Sequence, residues 1–494
     1  MATIYVSQSE TNGYAIGNDA NTRAQAASKS TPKLTITSAL SASVAGDIIV
    51  VNDGTYQSAT AHTITKAIDI ISENNTLPIV QLTSAGIRAL IANPSTLSVE
   101  LVGVTVDANS LASYGLDIQA GLSSTIADGC KFLGSTLFSL FEAACADTII
   151  KNCDFDGSAG AALSCYVGAG LCQIRNNTMN FPGAPFRDPC ITVTDSKGGG
   201  FAEIFGNVID LSTSSASVGI GNTDFNADII CNTINCRGTG FSAPISIKNS
   251  ANIIGRVNIV SNILDSFGNA GYGVQVGDDA YPATPNMIAN VVVCGNIVTR
   301  ANHGLLLGAI TGAIARFNEF SLSAYGVVDK NTIGSVLEFN TVINSTTDGG
   351  AILSRGSTDS AYKNNLIFND ADHVHPGLYI ASSEIPRVTT GAALKCNIVY
   401  SEVDIIFVSS SAGSEAIFEN NFYFSEAGGG SWKYNGVTYN SIEEWNALSN
   451  VTNDRYLDPK FIDVKNGDMR LRYDSPLVAL ELADVGCYPA DYTE

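Results

Sequence analysis

The sequence predicts an all-β solenoid, a parallel β-helix of about 12–14 rungs, and three observations carry that prediction. One short pattern recurs along most of the chain: an apolar-alternating segment, then Asn, one residue, then Ile, Val or Phe. Its anchors are Cys130, Cys153, Asn177, Asn207, Asn232, Asn262, Asn296, Asn318, Asn340, Asn365, Asn397 and Asn421, spaced 22 to 34 residues apart. Each unit also holds a second strand introduced by a small residue, as in Gly304-Leu-Leu-Leu, Gly326-Val-Val, Ala351-Ile-Leu and Gly377-Leu-Tyr-Ile. The composition agrees, because Ile, Val, Thr, Asn and Gly dominate while 4 Met and 2 Trp leave little material for helices. Units of two or three short strands cannot bury their own apolar face, so they must stack on like neighbours at the ~4.8 Å strand spacing.

Within each unit the elements follow in order. Asn suits the recurring corner because it tolerates left-handed backbone geometry and its amide can bond the same amide one rung away, giving a ladder. Cys130 and Cys153 hold the ladder's first two places and are expected on adjacent rungs, as small core filler more than as a bonded pair. The strand before each Asn, the strand after it and the Gly-introduced strand make three faces, the last being the front strand. Alternation sends Ile191/Val193, Ile245/Ile247, Val274/Val276, Leu305/Leu307 and Leu378/Ile380 inward. Thr192/Thr194, Ser246/Lys248, Gln275, Leu306/Gly308, Val328/Lys330 and Leu353/Arg355 then face solvent.

Charge and cysteine content narrow the function classes. The 494 residues carry 26 Lys+Arg against 47 Asp+Glu, a net charge of −21, which argues against nucleic-acid or anionic-membrane partners because those need a basic field. No run approaches the ~18 uninterrupted apolar residues of a membrane span. Eleven Cys is an odd number and no CxxC spacing occurs, so buried, reduced thiols are expected in place of a disulfide framework or a metal knot. Met1-Ala2-Thr3-Ile4-Tyr5-Val6 has neither a basic n-region nor an apolar h-region, which implies folding in a reducing cytoplasm or a trimmed signal. No GxGxxG after a strand, GxxxxGK[ST] or GxSxG occurs, so no organic cofactor is expected. No metal is assigned; carboxylate-bound Ca²⁺ is admissible on chemical grounds, though no DxDxDG loop is present.

With these features the chain resembles the right-handed parallel β-helix, or pectate-lyase-like, superfamily, of the polysaccharide lyase and phage tailspike-depolymerase type. Its opening is similar to that family's capping segment of strand, short amphipathic helix and first rung: Tyr5-Val6-Ser7, Gly17-Asn18-Asp19, Pro32-Lys33-Leu34-Thr35-Ile36 with Ala39-Leu40, then Gly46-Asp47-Ile48-Ile49-Val50 to Gly54-Thr55-Tyr56. Its close, with Asp458-Pro459, Phe461, Asp463, Asn466-Gly467-Asp468, Arg470-Leu471 and Ser475-Pro476, is similar to the tail of secreted and viral members. The resemblance implies a cap and first rung over residues 1–56, the β-helix over 57–424 and a C-terminal capping tail over 425–494, with Trp432, Trp445 and a short helix at 441–448 sealing the last rung. It also implies a polysaccharide substrate, a homotrimer, and an extracellular or virion-associated place.

Insertions locate the candidate site. Against a regular rung of 22 to 25 residues, the rungs from Asn262 to Asn296 and from Asn365 to Asn397 take 34 and 32, and their extra residues follow the front strand. Those extra residues include Asp278, Asp279, Tyr281, Glu384 and Arg387, and long loops on a rigid scaffold tend to carry function. Two such walls four rungs apart enclose a floor of roughly 15 to 20 Å, room for about three or four sugar units. Lys330 and Arg355 project from the floor, and Arg300, Asn302, His303, Asp348, Asp372, His373 and His375 from the turns, so three of the four His gather here. A basic, His-rich cleft on so acidic a chain suits an anionic substrate such as a uronic-acid polysaccharide.

Two mechanisms fit. In a lyase, His303 or Lys330 removes the proton α to a uronate carboxylate while Arg355 neutralises that carboxylate. In a hydrolase, two carboxylates flank the glycosidic bond, and Asp348 with Asp372, or Asp278 or Asp279, would serve. His373 completes the catalytic candidates, and Arg300, Asn302, His375, Tyr379, Asp278, Tyr281, Arg387 and Lys248 are the substrate-contacting ones. His373, His375 and Asp372 also invite a metal reading, which Pro376 and the lack of a third nearby His weigh against. A reserve cluster comprises Arg187, Asp188, Asp195, Asp224, Arg237 and Lys248. From other classes come a non-catalytic glycan-binding adhesin and a C5-epimerase that shares the proton-abstraction step.

Overall fold

The computed structural model describes the chain apart from residues 74–76, 93–97, 120, 157–160, 168–169, 182–188, 196–199, 212–216, 224–225, 237–241, 249–254, 267–270, 278–287, 344–349, 370–375, 382–388, 402–403, 410–414, 427, 465–467 and 480–494. Two compact units emerge, Met1–Gly238 and Thr239–Glu494. In both the repeating element is a three-strand rung whose strands pair in parallel with their counterparts one rung away. In the first unit Ser124–Asp128, Lys131–Leu133 and Phe138–Cys145 pair with Asp147–Lys151, Asp154–Asp156 and Ala161–Val167. In the second, Ile314–Arg316, Glu319–Ser321 and Tyr325–Lys330 pair with Val336–Glu338, Thr341–Ile343 and Ile352–Arg355. The chain is a parallel β-solenoid.

Stacking aligns equivalent residues into columns. Leu101, Ala127, Ile150, Ile174, Ile204 and Ile229 form one continuous buried file in the first unit. Val298, Phe320, Val342, Ile367, Val399 and Tyr423 form another in the second. Such files remove a whole row of apolar side chains from water at ~25 cal/mol per Å², which is what the isolated rung cannot do.

The asparagine ladder is present in both units. Asn177 donates its amide to Asn207 Oδ1 and Asn207 to Asn232 Oδ1, each at 2.9 Å. In the second unit the relay runs from Asn262 through Asn296, Asn318, Asn340, Asn365 and Asn397 to Asn421 at 2.9–3.0 Å. The amides' other hydrogens go to backbone carbonyls, as Asn340's does to Ala315 (2.9 Å), and the Oδ1 atoms also accept backbone N–H groups, as Asn340's does from Asn318 N (3.1 Å), so such buried groups are multiply satisfied. The left-handed backbone expected of the ladder residue belongs to the residue before it. Asn152, Asn176, Cys231, Ser261, Phe317, Phe339, Asn364, Cys396 and Asn420 have φ of 53–56°, and Gly129, Gly206 and Gly295 take the same place. The reason is division of labour: the left-handed residue turns the corner, and the next one can then send its amide into the stack.

A second sequence signal, the Gly opening each front strand, also has a steric cause. A Cβ on Gly304 would lie 2.5 Å from Phe320 Cδ1, one on Gly326 2.4 Å from Val342 Cγ1, and one on Gly377 2.4 Å from Val399 Cγ1. These glycines therefore face the interior directly beside inward Leu305, Val327 and Leu378, which displaces the preceding residue to the outer face.

Both ends carry expected helices. Ile36–Ala42 is capped by Thr35, whose hydroxyl accepts from Ser38 N (3.2 Å), while Asp19 accepts from Leu34 N, Thr35 N and Thr35 Oγ1. Ile442–Asn446 is capped by Ser441 and buries Trp445. The ladder ends on a carboxylate: Asn421 Nδ2 (3.1 Å), Tyr423 Oη (2.7 Å) and Trp445 Nε1 (3.0 Å) all donate to Asp454. Asn446 then imitates a further rung, accepting from Asp454 N and donating to Asp454 O. Cys130, Cys153, Cys165, Cys172, Cys190 and Cys236 are buried and carry free thiols; Cys231, also free, is exposed and Cys294 and Cys396 are half-buried, so the expectation of buried thiols holds for six of these nine. Among the described residues no helix is long and apolar enough to cross a membrane.

Candidate functional site

The outer face of the second unit's front sheet is built from three rows that the strand register fixes. The row at the strand starts holds Tyr272, His303 and Tyr325. Because glycine occupies the adjoining inward position, these rings stand outside the coil and stack along it, with centroids 5.0 and 4.9 Å apart and the His303 and Tyr325 planes 7° from parallel. The middle row runs Gln275, Leu306, Val328, Leu353, Tyr379 and Phe407. Its members Leu306, Val328 and Leu353 were expected in solvent; they do lie on the outer side, yet they are buried, packed with Ala381 against Tyr272, Tyr325 and Tyr379. Side chains this apolar gain more by clustering on one another than by contact with water. Tyr379 meets Phe407 edge to face at 4.9 Å, and Lys433 Nζ sits 5.9 Å from the Phe407 ring centroid.

The third row brings Gly308, Lys330, Arg355 and Ala381 side by side. Lys330 and Arg355 are direct register partners, both half-buried, flanked by residues with little or no side chain. The strands that carry them lie ~4.8 Å apart, so both side chains leave the sheet at neighbouring points of one row. His303 does not share this spot. Its register partner Tyr325 precedes Lys330 by five residues on one strand, a separation of about 15 Å at the rise of a parallel strand.

Beneath the cationic pair lies a feature that alternation places inside but that the sequence reading did not single out. Asp329, between outward Val328 and Lys330, is fully buried. Thr332 Oγ1 donates to its Oδ1 (2.5 Å) and Tyr362 Oη to its Oδ2 (2.6 Å), while Ser357 Oγ donates to its backbone carbonyl (2.9 Å). Burial pushes the Asp329 carboxyl above the ordinary range, with the hydroxyl donors pulling the other way, and burial next to Asp329 pushes the Tyr362 phenol far up. The visible signal was the polar residue at a parity held by Leu307 and Val276 on neighbouring strands.

Of the remaining candidates, Arg300 turns away from the cationic row. Its backbone is left-handed (φ 59°) and its guanidinium forms a forked pair with Asp265, through Nε at 2.8 Å and through Nη2. Asn302 is half-buried and its carbonyl accepts from Tyr325 N (2.8 Å). Lys248 is exposed, directly after Ile247, which pairs with Val276. Asp278, Tyr281, Asp348, Asp372, His373, His375 and Arg387 lie outside the described residues, as do Asp279, Glu384, Arg187, Asp188, Asp224 and Arg237. Among the described residues no group of three or more His, Cys, Asp or Glu is arranged to hold a metal.

No family model matches the sequence, and no curated protein matches it. Solved structures do. A rhamnogalacturonan lyase aligns over 99% of this chain and 100% of its own at 13% identity, with a TM-score of 0.30. The Dettilon tailspike protein aligns over 94% and 70% at 12% identity (TM-score 0.33), and a PL6 alginate lyase solved with a trisaccharide over 93% and 96% at 10% identity (TM-score 0.34). The likeness is one of fold, and the fold stands on the strand pairing described above.

Proposed function

We propose that this protein acts on a polysaccharide at the front face of its second unit, as a lyase that cleaves an acidic, uronic-acid-containing chain by β-elimination. The observation that carries the reading is the adjacency of Lys330 and Arg355 on a chain of net charge −21. Arg355 presents a planar fork suited to a carboxylate and neutralises the substrate's uronate, which acidifies the proton on the α carbon. Lys330, acting in its neutral amine form, takes that proton and becomes an ammonium. The electron pair left behind forms the new carbon–carbon double bond as the bond to the glycosidic oxygen breaks, and that oxygen takes a proton back from the Lys330 ammonium and leaves as the hydroxyl of the new chain end. His303, about 15 Å along the strand and stacked between two tyrosine rings, lies too far from Lys330 and Arg355 to act on the same sugar and takes no part in the step. An extracellular or virion-associated place, where such polymers are met, goes with it.

The test is incubation with a panel of acidic and neutral polysaccharides, following ultraviolet absorbance of the unsaturated product and new reducing ends together. The lyase reading expects both to rise on an acidic glycan. Reducing ends without absorbance mean hydrolysis and move the chemistry to Asp348 and Asp372. The apolar row ending in Tyr379 and Phe407 favours one further reading, a glycan-binding adhesin, which expects binding with neither signal.

A further inference from the structure

Away from the front face, the corner that precedes the asparagine ladder breaks its own rule on two successive rungs of the second unit. Ser261, Gly295, Asn364, Cys396 and Asn420 fill this left-handed position elsewhere in the unit, all small or amide-bearing, as the geometry prefers. Phe317 and Phe339 fill it at φ 55° and 54°, where a bulky side chain is strained. Their rings stack on each other at 5.2 Å and 16°, and Phe317 is 44% exposed. Strain combined with exposed apolar surface lowers the stability of the lone chain, so the rings have a use outside it.

The residues just before the two rings are charged and opposite. Arg316 and Glu338 are register partners, yet no ion pair joins them; the Arg316 guanidinium lies 5.9 Å from the centroid of the Phe317 ring. Opposite charges one rung apart, each beside a phenylalanine, form a pattern that is complementary to itself after a two-fold rotation.

We propose that this corner is the contact between two copies of the chain, related by a two-fold axis between the rungs of Phe317 and Phe339. Arg316 of each copy meets Glu338 of the other, and Phe317 of each packs on Phe339 of the other. The local charge of the patch is balanced, so two chains that each carry −21 can approach there without a like-charged front. The homotrimer implied by the family resemblance needs a head-to-tail contact between unlike patches, whereas this patch closes on two.

Sedimentation velocity over a concentration series up to about 100 µM, an affinity range typical of modest interfaces, tests the proposal. The wild-type protein is expected to reach the mass of two chains. Phe317→Gly with Phe339→Asn, residue types used at equivalent corners, should keep or raise thermal stability and leave a monomer. Arg316→Glu and Glu338→Arg should each weaken the dimer by roughly tenfold or more, and the two together should restore it because both cross-pairs are rebuilt. A wild-type mass of one or three chains, a dimer unmoved by the phenylalanine replacements, or a double reversal no better than the single ones would overturn it.

Discussion

At the scale of the residue, the front face shows how parity assigns opposite work to neighbours on one strand. Lys330 and Val328 face outward, and Asp329 between them sits in the coil with three hydroxyl groups bonded to its carboxylate and carbonyl. Its carboxyl is raised by burial, so the folded state holds that proton more tightly than the unfolded chain, whose Asp titrates near 3.9. The resulting stability is fully present below about pH 4 and is lost as pH rises through the raised native value. Asp329→Asn removes this titration. Urea midpoints of wild type and variant, measured from pH 4 to 8, should therefore show the wild type losing ground steadily as pH rises, with Asp454 contributing equally to both proteins. A constant difference across the range contradicts the assignment. Lys330 and Arg355 were legible from alternation alone, since Gly326-Val-Val-Asp329 and Ala351-Ile-Leu-Ser354 each place their next residue outward. The separation of His303 from them was not, because turn proximity in sequence says nothing about distance along a strand.

At the scale of the element, the ladder and the corner divide one task. Asn340 in mid-ladder donates to Ala315 O and Asn365 Oδ1 and accepts from Asn318, so Asn340→Ala leaves several buried groups unpaired. A loss of about 3 kcal/mol is expected in equilibrium unfolding, larger than for a surface Asn, at which about 0.5 kcal/mol or less is typical. The ladder was legible as a spacing of Asn residues, and the front strands as small residues before apolar ones. The left-handed residue preceding each Asn was hidden because Gly, Asn, Ser, Cys and Phe all occupy it, so no single residue type marks it. The outward apolar row was misjudged as wetted because alternation tells which side of the sheet a residue occupies, whereas burial there depends on clustering with Tyr272, Tyr325 and Tyr379.

At the scale of the whole molecule, charge is the dominant global property. A chain with 47 acidic and 26 basic residues repels itself, and salt screens that repulsion over a Debye length of ~8 Å at physiological ionic strength. Thermal stability is expected to rise between about 0.02 and 0.5 M NaCl, as the Debye length shrinks several-fold, and a fall would mean that surface pairs such as Arg175 with Glu203 and Lys395 with Glu419 outweigh the net charge. Against that field, Lys330 and Arg355 place two basic residues side by side on the front face. The most direct measurement compares an acidic polysaccharide that the protein degrades with the same polymer after its carboxylates have been reduced to alcohols, using wild type, Lys330→Ala and Arg355→Ala. The account predicts that the wild type cuts only the acidic form, and that each variant folds normally but loses activity by about 10²-fold or more. Equal cutting of the reduced polymer, or full activity in either variant, would contradict it.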